Sequence, residues 1–143
     1  MPTTTRSRTL SAGPDQVWRI VGDPSHLPRW WPKVERVESI RDREFTAVYG
    51  TSKGRPLRAD YVVSEVEAPH HRRWDQVVEG SPFERFVSAF GVAADVEPHD
   101  GGARVTLTVV QKLRGMSRLG APLAKRAMRR QLDEAFDRLE QVL

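Results

Sequence analysis

Cysteine is absent from this chain of 143 residues. That excludes a disulfide framework, a thiolate nucleophile and cysteine metal ligation. No apolar run approaches the length a helix needs to cross a bilayer, so no integral membrane segment is expected. The opening MPTTTRSRTL lacks the apolar core of a secretory leader, and a cytoplasmic protein is the expectation. Histidine is scarce. His26, His70, His71 and His99 show no HxH or HExxH spacing, so no metal and no other cofactor is expected. GxSxG, P-loop and GxGxxG patterns are also missing, which leaves nucleophile-elbow, NTPase and Rossmann chemistry without support. There is no repeat, low-complexity tract or linker, and the expectation is one domain over 1–143.

What is present describes a soluble globular protein with enough chain to bury a core: 38% apolar and 29% charged residues. The net charge of +4 comes from arginine spread along the chain. Such a balance suits nucleic acid or anionic surfaces, but scattered arginine reads as a solvated face, and no nucleic-acid partner is expected.

The longest helix signal is Pro122–Leu143. Leu123, Ala124, Ala127, Met128, Leu132, Ala135, Phe136, Leu139 and Val142 recur at steps of three and four. Opposite charges four apart, Arg129 with Asp133, Arg130 with Glu134 and Glu134 with Arg138, support a solvated outer face. Pro122 suits a first helical position. Upstream, Thr3 to Ser11 reads as an edge strand and PDQVWRIVGD as a short helix opened by Pro14. HLPRWW is a further helical turn, ending before Pro32.

Alternating segments then follow at Lys33–Arg41, Glu44–Ser52, Leu57–Glu67, Arg72–Glu79, Phe83–Glu97 and Ala103–Leu113. Breakers separate them: Lys53-Gly54-Arg55-Pro56, Ala68-Pro69-His70-His71, Gly80-Ser81-Pro82 and Pro98-His99-Asp100-Gly101-Gly102. Hairpin after hairpin makes an antiparallel sheet, and the long helix is the only element large enough to cover its apolar face. The class is α+β.

This order resembles the START/polyketide-cyclase (SRPBCC) superfamily with its helix-grip fold. SRTLSAGPDQVWRIVGDPSHLPRWWPKVERVES is similar to the family's opening strand, helix and Trp-Pro turn. VVSEVEAPHHRRWDQV resembles its strand–Pro–strand hairpin, and DGGARVTLTV its last hairpin. The resemblance implies a curved sheet wrapped around the C-terminal helix, with a cavity between them. It also implies a small hydrophobic ligand, aromatic, polyketide or lipid-like.

Alternation places Tyr49, Tyr61, Gln76, Ser88 and Gln111 toward the helix. Either they satisfy one another in a packed core, or they are the few hydrogen-bonding groups of an apolar pocket. The candidate ligand-binding set is Trp31, Tyr49, Tyr61, Trp74, Gln76, Phe86, Ser88, Phe90, Leu123 and Met128. Trp30 and Trp31 are adjacent, so one packs under the sheet and the other lines the cavity mouth.

Three functions fit: a carrier or sensor of an apolar ligand, a cofactor-free cyclase or dehydratase, and a co-chaperone-like interaction module. For catalysis a tyrosine hydroxyl can donate to a ketone, but no inward Asp, Glu, His or Arg is apparent, unless a bulge near Val63 turns Glu65 inward. No catalytic residue is assigned. Lys125, Arg126, Arg129 and Arg130 on the helix suit an acidic partner, such as an acyl carrier protein, or an anionic membrane surface.

Overall fold

The computed structural model describes residues 3–51 and 54–143. Strand β1 (Thr3–Leu10) leads to helix α1 (Pro14–Val21) and a short α2 (Leu27–Trp30). Strands β2 (Val34–Glu38), β3 (Glu44–Tyr49), β4 (Leu57–Glu67), β5 (His71–Gln76), β6 (Val87–His99) and β7 (Gly102–Leu113) follow. Helix α3 (Ala121–Val142) closes the chain. Ser52 and Lys53, where a strand end and a turn are expected, lie outside the described residues.

The strands form one sheet in the order β1-β7-β6-β5-β4-β3-β2, antiparallel throughout. With α3 across one face, the chain adopts the expected helix-grip arrangement. β7 shows why. Ala103, Val105, Leu107 and Val109 are buried while Arg104 is exposed, the period of a half-covered strand. Met128, Leu132, Ala135, Phe136 and Leu139 of α3 meet this face, joined by Val17, Ile20 and Val21 of α1 and by Trp30. Pro14 opens α1, and the Gln16 side chain accepts from the Gly13 N–H at 3.2 Å, satisfying a donor at the helix start.

Three expectations change. The segment from Phe83 does not begin as strand. Residues Pro82–Arg85 form a 3-10 turn, because the Ser81 hydroxyl caps the Phe83 N–H and the Glu84 carboxylate accepts from the Gly80 N–H. The ion pairs expected within α3 are replaced by longer-range ones. Arg8 of β1 reaches Asp137 at 2.7 Å and Glu140 at 3.3 Å, and Arg6 reaches Asp133 at 3.6 Å. Arg138 turns inward and donates to the Trp31 and Pro28 carbonyls at 3.4 and 3.5 Å. Finally, the β4–β5 register does shift between Val63 and Glu65, yet Glu65 stays outside, held by His71.

His71 joins three strands. Its Nδ1 lies 2.6 Å from Asp95 of β6 and its Nε2 2.9 Å from Glu65 of β4. The hydrogen bond to Asp95 raises the His71 pKa above its ordinary value. Partial burial opposes this, and Glu65 adds to it. Because the folded pKa lies above the unfolded one, the contribution is complete below about pH 6.5 and is lost as pH rises through the folded value. Urea midpoints of the wild type and His71→Gln should therefore diverge at mildly acidic pH and converge on going alkaline. Parallel midpoint-versus-pH curves for the two proteins would remove His71 from the account.

Candidate functional site

Between the sheet and α3 lies a cleft of about 610 Å³, lined by residues from β3 to β7, α3 and the segment after α2. Its construction starts at Trp30 and Trp31. Their rings meet edge to face, with centroids 5.6 Å apart. Trp30 is enclosed in the core, while Trp31, also buried, borders the cleft. Arg138 holds the carbonyl of Trp31, so α3 fixes this wall. The chain then turns through Lys33, whose φ of 69° is left-handed, a conformation stabilised by the Gly50 N–H donating to its carbonyl at 2.9 Å.

Strands β3 and β4 supply the polar centre. Tyr49 and Tyr61 face each other with hydroxyls 2.7 Å apart, and the Trp31 indole is a further hydrogen-bond partner of Tyr49. The Tyr61 ring stacks on Phe45, with centroids 5.2 Å apart, and meets Phe90 edge-on at 6.5 Å. Burial pushes the Tyr61 phenol well above its ordinary range, and Tyr49 upward also. Both hydroxyls are therefore neutral hydrogen-bonding groups. Gln76 is the register partner of Tyr61 on β5. Its Nε2 is buried without a hydrogen-bond partner, an uncommon and costly state for an amide.

The structure thus brings together Trp31, Tyr49, Tyr61, Gln76, Phe90 and Met128, with Gln111 beside them. Four candidates stand elsewhere. Trp74 is 4% exposed and packs in the core beside Val21, Leu27 and Phe45. It shares a sheet face with Gln76, but further along, where α1 and α2 close over it. Phe86 and Ser88 point away because the β6–β7 register shifts between Val87 and Ala89. That bulge inserts one residue, so Val87 and Phe90 share the inner face instead. Phe86 is exposed, and Ser88 borders an adjoining hollow of about 680 Å³ between β7 and the start of α3, with Gln111 lining both. Leu123 is exposed because it precedes buried Leu132 by nine residues, about 180° around the helix.

The cleft also contains residues that sequence reading overlooked: Lys33, Gly50, Thr51, Leu57, Phe83, Val87 and Gln131. Gln131 was legible as the position three after Met128. Phe83 was legible through Ser81-Pro82-Phe83-Glu84, a helix-start signature. Nothing in the sequence marks Lys33. Among the described residues it is the only charged group lining the cleft. No described cluster of His, Asp or Glu is arranged to hold a metal ion. Chemically, the site offers apolar walls, neutral hydroxyl and amide groups inside, and one cation at the rim.

Known proteins share this architecture. An uncharacterized protein of Mycobacterium tuberculosis, Rv2574, is 28% identical over 136 residues, covering 85% of this chain and 74% of that protein. The solved structure of XoxI from Bacillus cereus superposes with a TM-score of 0.79 at 16% identity, over 99% of this chain and 95% of the other. A START superfamily protein from Mycobacterium smegmatis gives 0.78 at 10% identity, over 97% and 94%. The di-domain ARO/CYC BexL from the BE-7585A biosynthetic pathway gives 0.78 at 20%, over 99% of this chain and 46% of its own. At these identities the likeness carries the fold alone. The family described as polyketide cyclase / dehydrase and lipid transport matches over residues 1–143, and the chain belongs to that family.

Proposed function

We propose that the chain binds a small, mostly apolar molecule bearing a carbonyl or hydroxyl group in the cleft between sheet and α3. The observation that carries this reading is the buried, unpartnered Gln76 amide beside the Tyr49–Tyr61 hydroxyl pair, within aromatic and aliphatic walls. A buried amide N–H without a partner is costly, and rotation of the Gln76 side chain toward the cleft it lines would let a ligand oxygen accept from it. The walls would exclude water from the ligand's apolar part. The family, described as polyketide cyclase / dehydrase and lipid transport, supports ligand binding in general.

A second reading, cofactor-free cyclisation or dehydration, draws on the neutral tyrosine hydroxyls, which suit donation to a ketone oxygen as charge develops. No carboxylate or histidine lines the cleft among the described residues, so removal of a carbon-bound proton has no assigned base. Binding without turnover is the primary reading.

Thermal unfolding and tryptophan fluorescence with planar aromatic and acyl compounds provide the test. Ligands of the folded state raise the melting temperature, and Trp31 at the wall should respond. Tyr61→Phe should weaken carbonyl-bearing ligands by about three- to tenfold, the loss of one hydrogen bond, and leave hydrocarbon ligands unchanged. Absence of any shift across the panel would leave the interaction-module reading in its place.

A further inference from the structure

Outside the cleft, the segment joining β7 to α3 presents an unusual surface. Met116, Leu119 and Leu123 are 80%, 77% and 70% exposed. Phe86 is 57% exposed and is pinned beside this segment, where the Arg114 N–H donates to its carbonyl at 2.8 Å. Single exposed apolar residues are ordinary, but large ones in a contiguous segment are not. Leu123, Arg126 and Arg130 stand three and four apart along α3, which sets them along one outer line, and Leu119 lies in the 3-10 turn Gly115–Gly120 that leads into the helix. That line lies opposite buried Leu132, so it faces away from the sheet.

The charge is one-sided. No Asp or Glu occurs between Asp100 and Asp133, whereas Lys112, Arg114 and Arg118 precede the helix and the basic helix face follows. Among the described residues, the arginines that find carboxylates are on other elements, and none of the cations in this segment is in an ion pair. Apolar side chains flanked by unneutralised cations match the layering of an anionic bilayer surface, with acyl chains beneath negatively charged headgroups. A second copy of the chain is a poor occupant, because a two-fold contact would set Arg126 and Arg130 against themselves. Leu123 protrudes from the convex outer face of α3 and Leu119 from the turn before it, and a fluid bilayer needs no matching groove.

We infer that this face, Met116, Leu119 and Leu123 with Arg126 and Arg130, docks the protein reversibly on anionic membranes. Met128, on the inner side of the same helix, lines the cleft, so docking holds the cleft within one helix width of the lipid. The surface stands independently of what the cleft binds.

Co-sedimentation with vesicles tests it. The protein should pellet with phosphatidylcholine vesicles containing phosphatidylglycerol and stay in solution with phosphatidylcholine alone. Arg126→Gln with Arg130→Gln should weaken the apparent affinity roughly thirtyfold, about fivefold for each cation removed. Leu119→Ser with Leu123→Ser should weaken it by about tenfold or more. All four side chains are solvent-exposed, so melting temperatures should stay at the wild-type value, which separates docking from folding. No pelleting with the anionic vesicles overturns the inference. So does pelleting that survives the leucine changes while vanishing in salt. In that case the surface is a purely electrostatic one, suited to a soluble acidic partner such as a carrier protein.

Discussion

Phe136→Ala is expected to lower the unfolding free energy by about 3–5 kcal/mol, read as a shift of the urea midpoint at unchanged m-value. Phe136 is 1% exposed, at the middle of the buried stripe of α3. Its ring lies between the core and the Arg8 guanidinium, which stands 5.2 Å from its centroid. Truncation removes the transfer free energy of the ring and leaves a void that helix and sheet, held by neighbours on both sides, cannot close. Leu123→Ala on the same helix should change stability by less than about 0.5 kcal/mol, since Leu123 already faces water. The contrast between the two is the sharper reading. Similar losses at both positions would mean that the helix sits on the sheet in another rotation.

Gly102→Ala is expected to cost about 3 kcal/mol, by backbone collision. A Cβ at Gly102 would run into the Leu10 carbonyl at the end of β1, where β1 pairs with β7. Main chain on both sides leaves no flexible group to give way, so the first and last strands would have to part. Gly101, its neighbour, differs. Its φ is 81° with open space around the Cβ position, so Gly101→Ala should cost only the left-handed strain, about 1 kcal/mol. Chemical denaturation of the two variants decides the matter. Equal costs would show that the turn conformation is what matters and that the approach of Leu10 is not.

These contrasts mark how far the sequence could be read. The sheet and its gripping helix were legible because burial repeats every second residue along β7 and every third or fourth along α3. Tyr49, Tyr61 and Gln76 were legible as inward groups for the same reason. Phe86 and Ser88 were not, since alternation cannot reveal a residue that drops out of register, and the bulge before Ala89 reverses every assignment upstream of it. Trp74 shows a different limit. Alternation tells which face a side chain takes but not which part of that face the helices cover. Leu123 stands four residues from Ala127, but Ala127 is itself exposed and lies about 140° around the helix from Leu132, so both fall outside the buried stripe.

The outer strands have a consequence for self-association. A sheet that does not close into a barrel has two rims, and an unprotected rim invites a strand from another molecule. Here β2, at one rim, is only five residues long, and its register with β3 breaks between Val34 and Arg36. Glu38 on this strand is held by Arg36 and by Arg58 of β4. A foreign strand laid along β2 would meet a kinked backbone and charges already paired. At the other rim, Arg6 and Arg8 of β1 are drawn across to the acidic face of α3. Continuous stacking of sheets into fibrils thus finds no flat, uncharged template on either side while the protein stays folded.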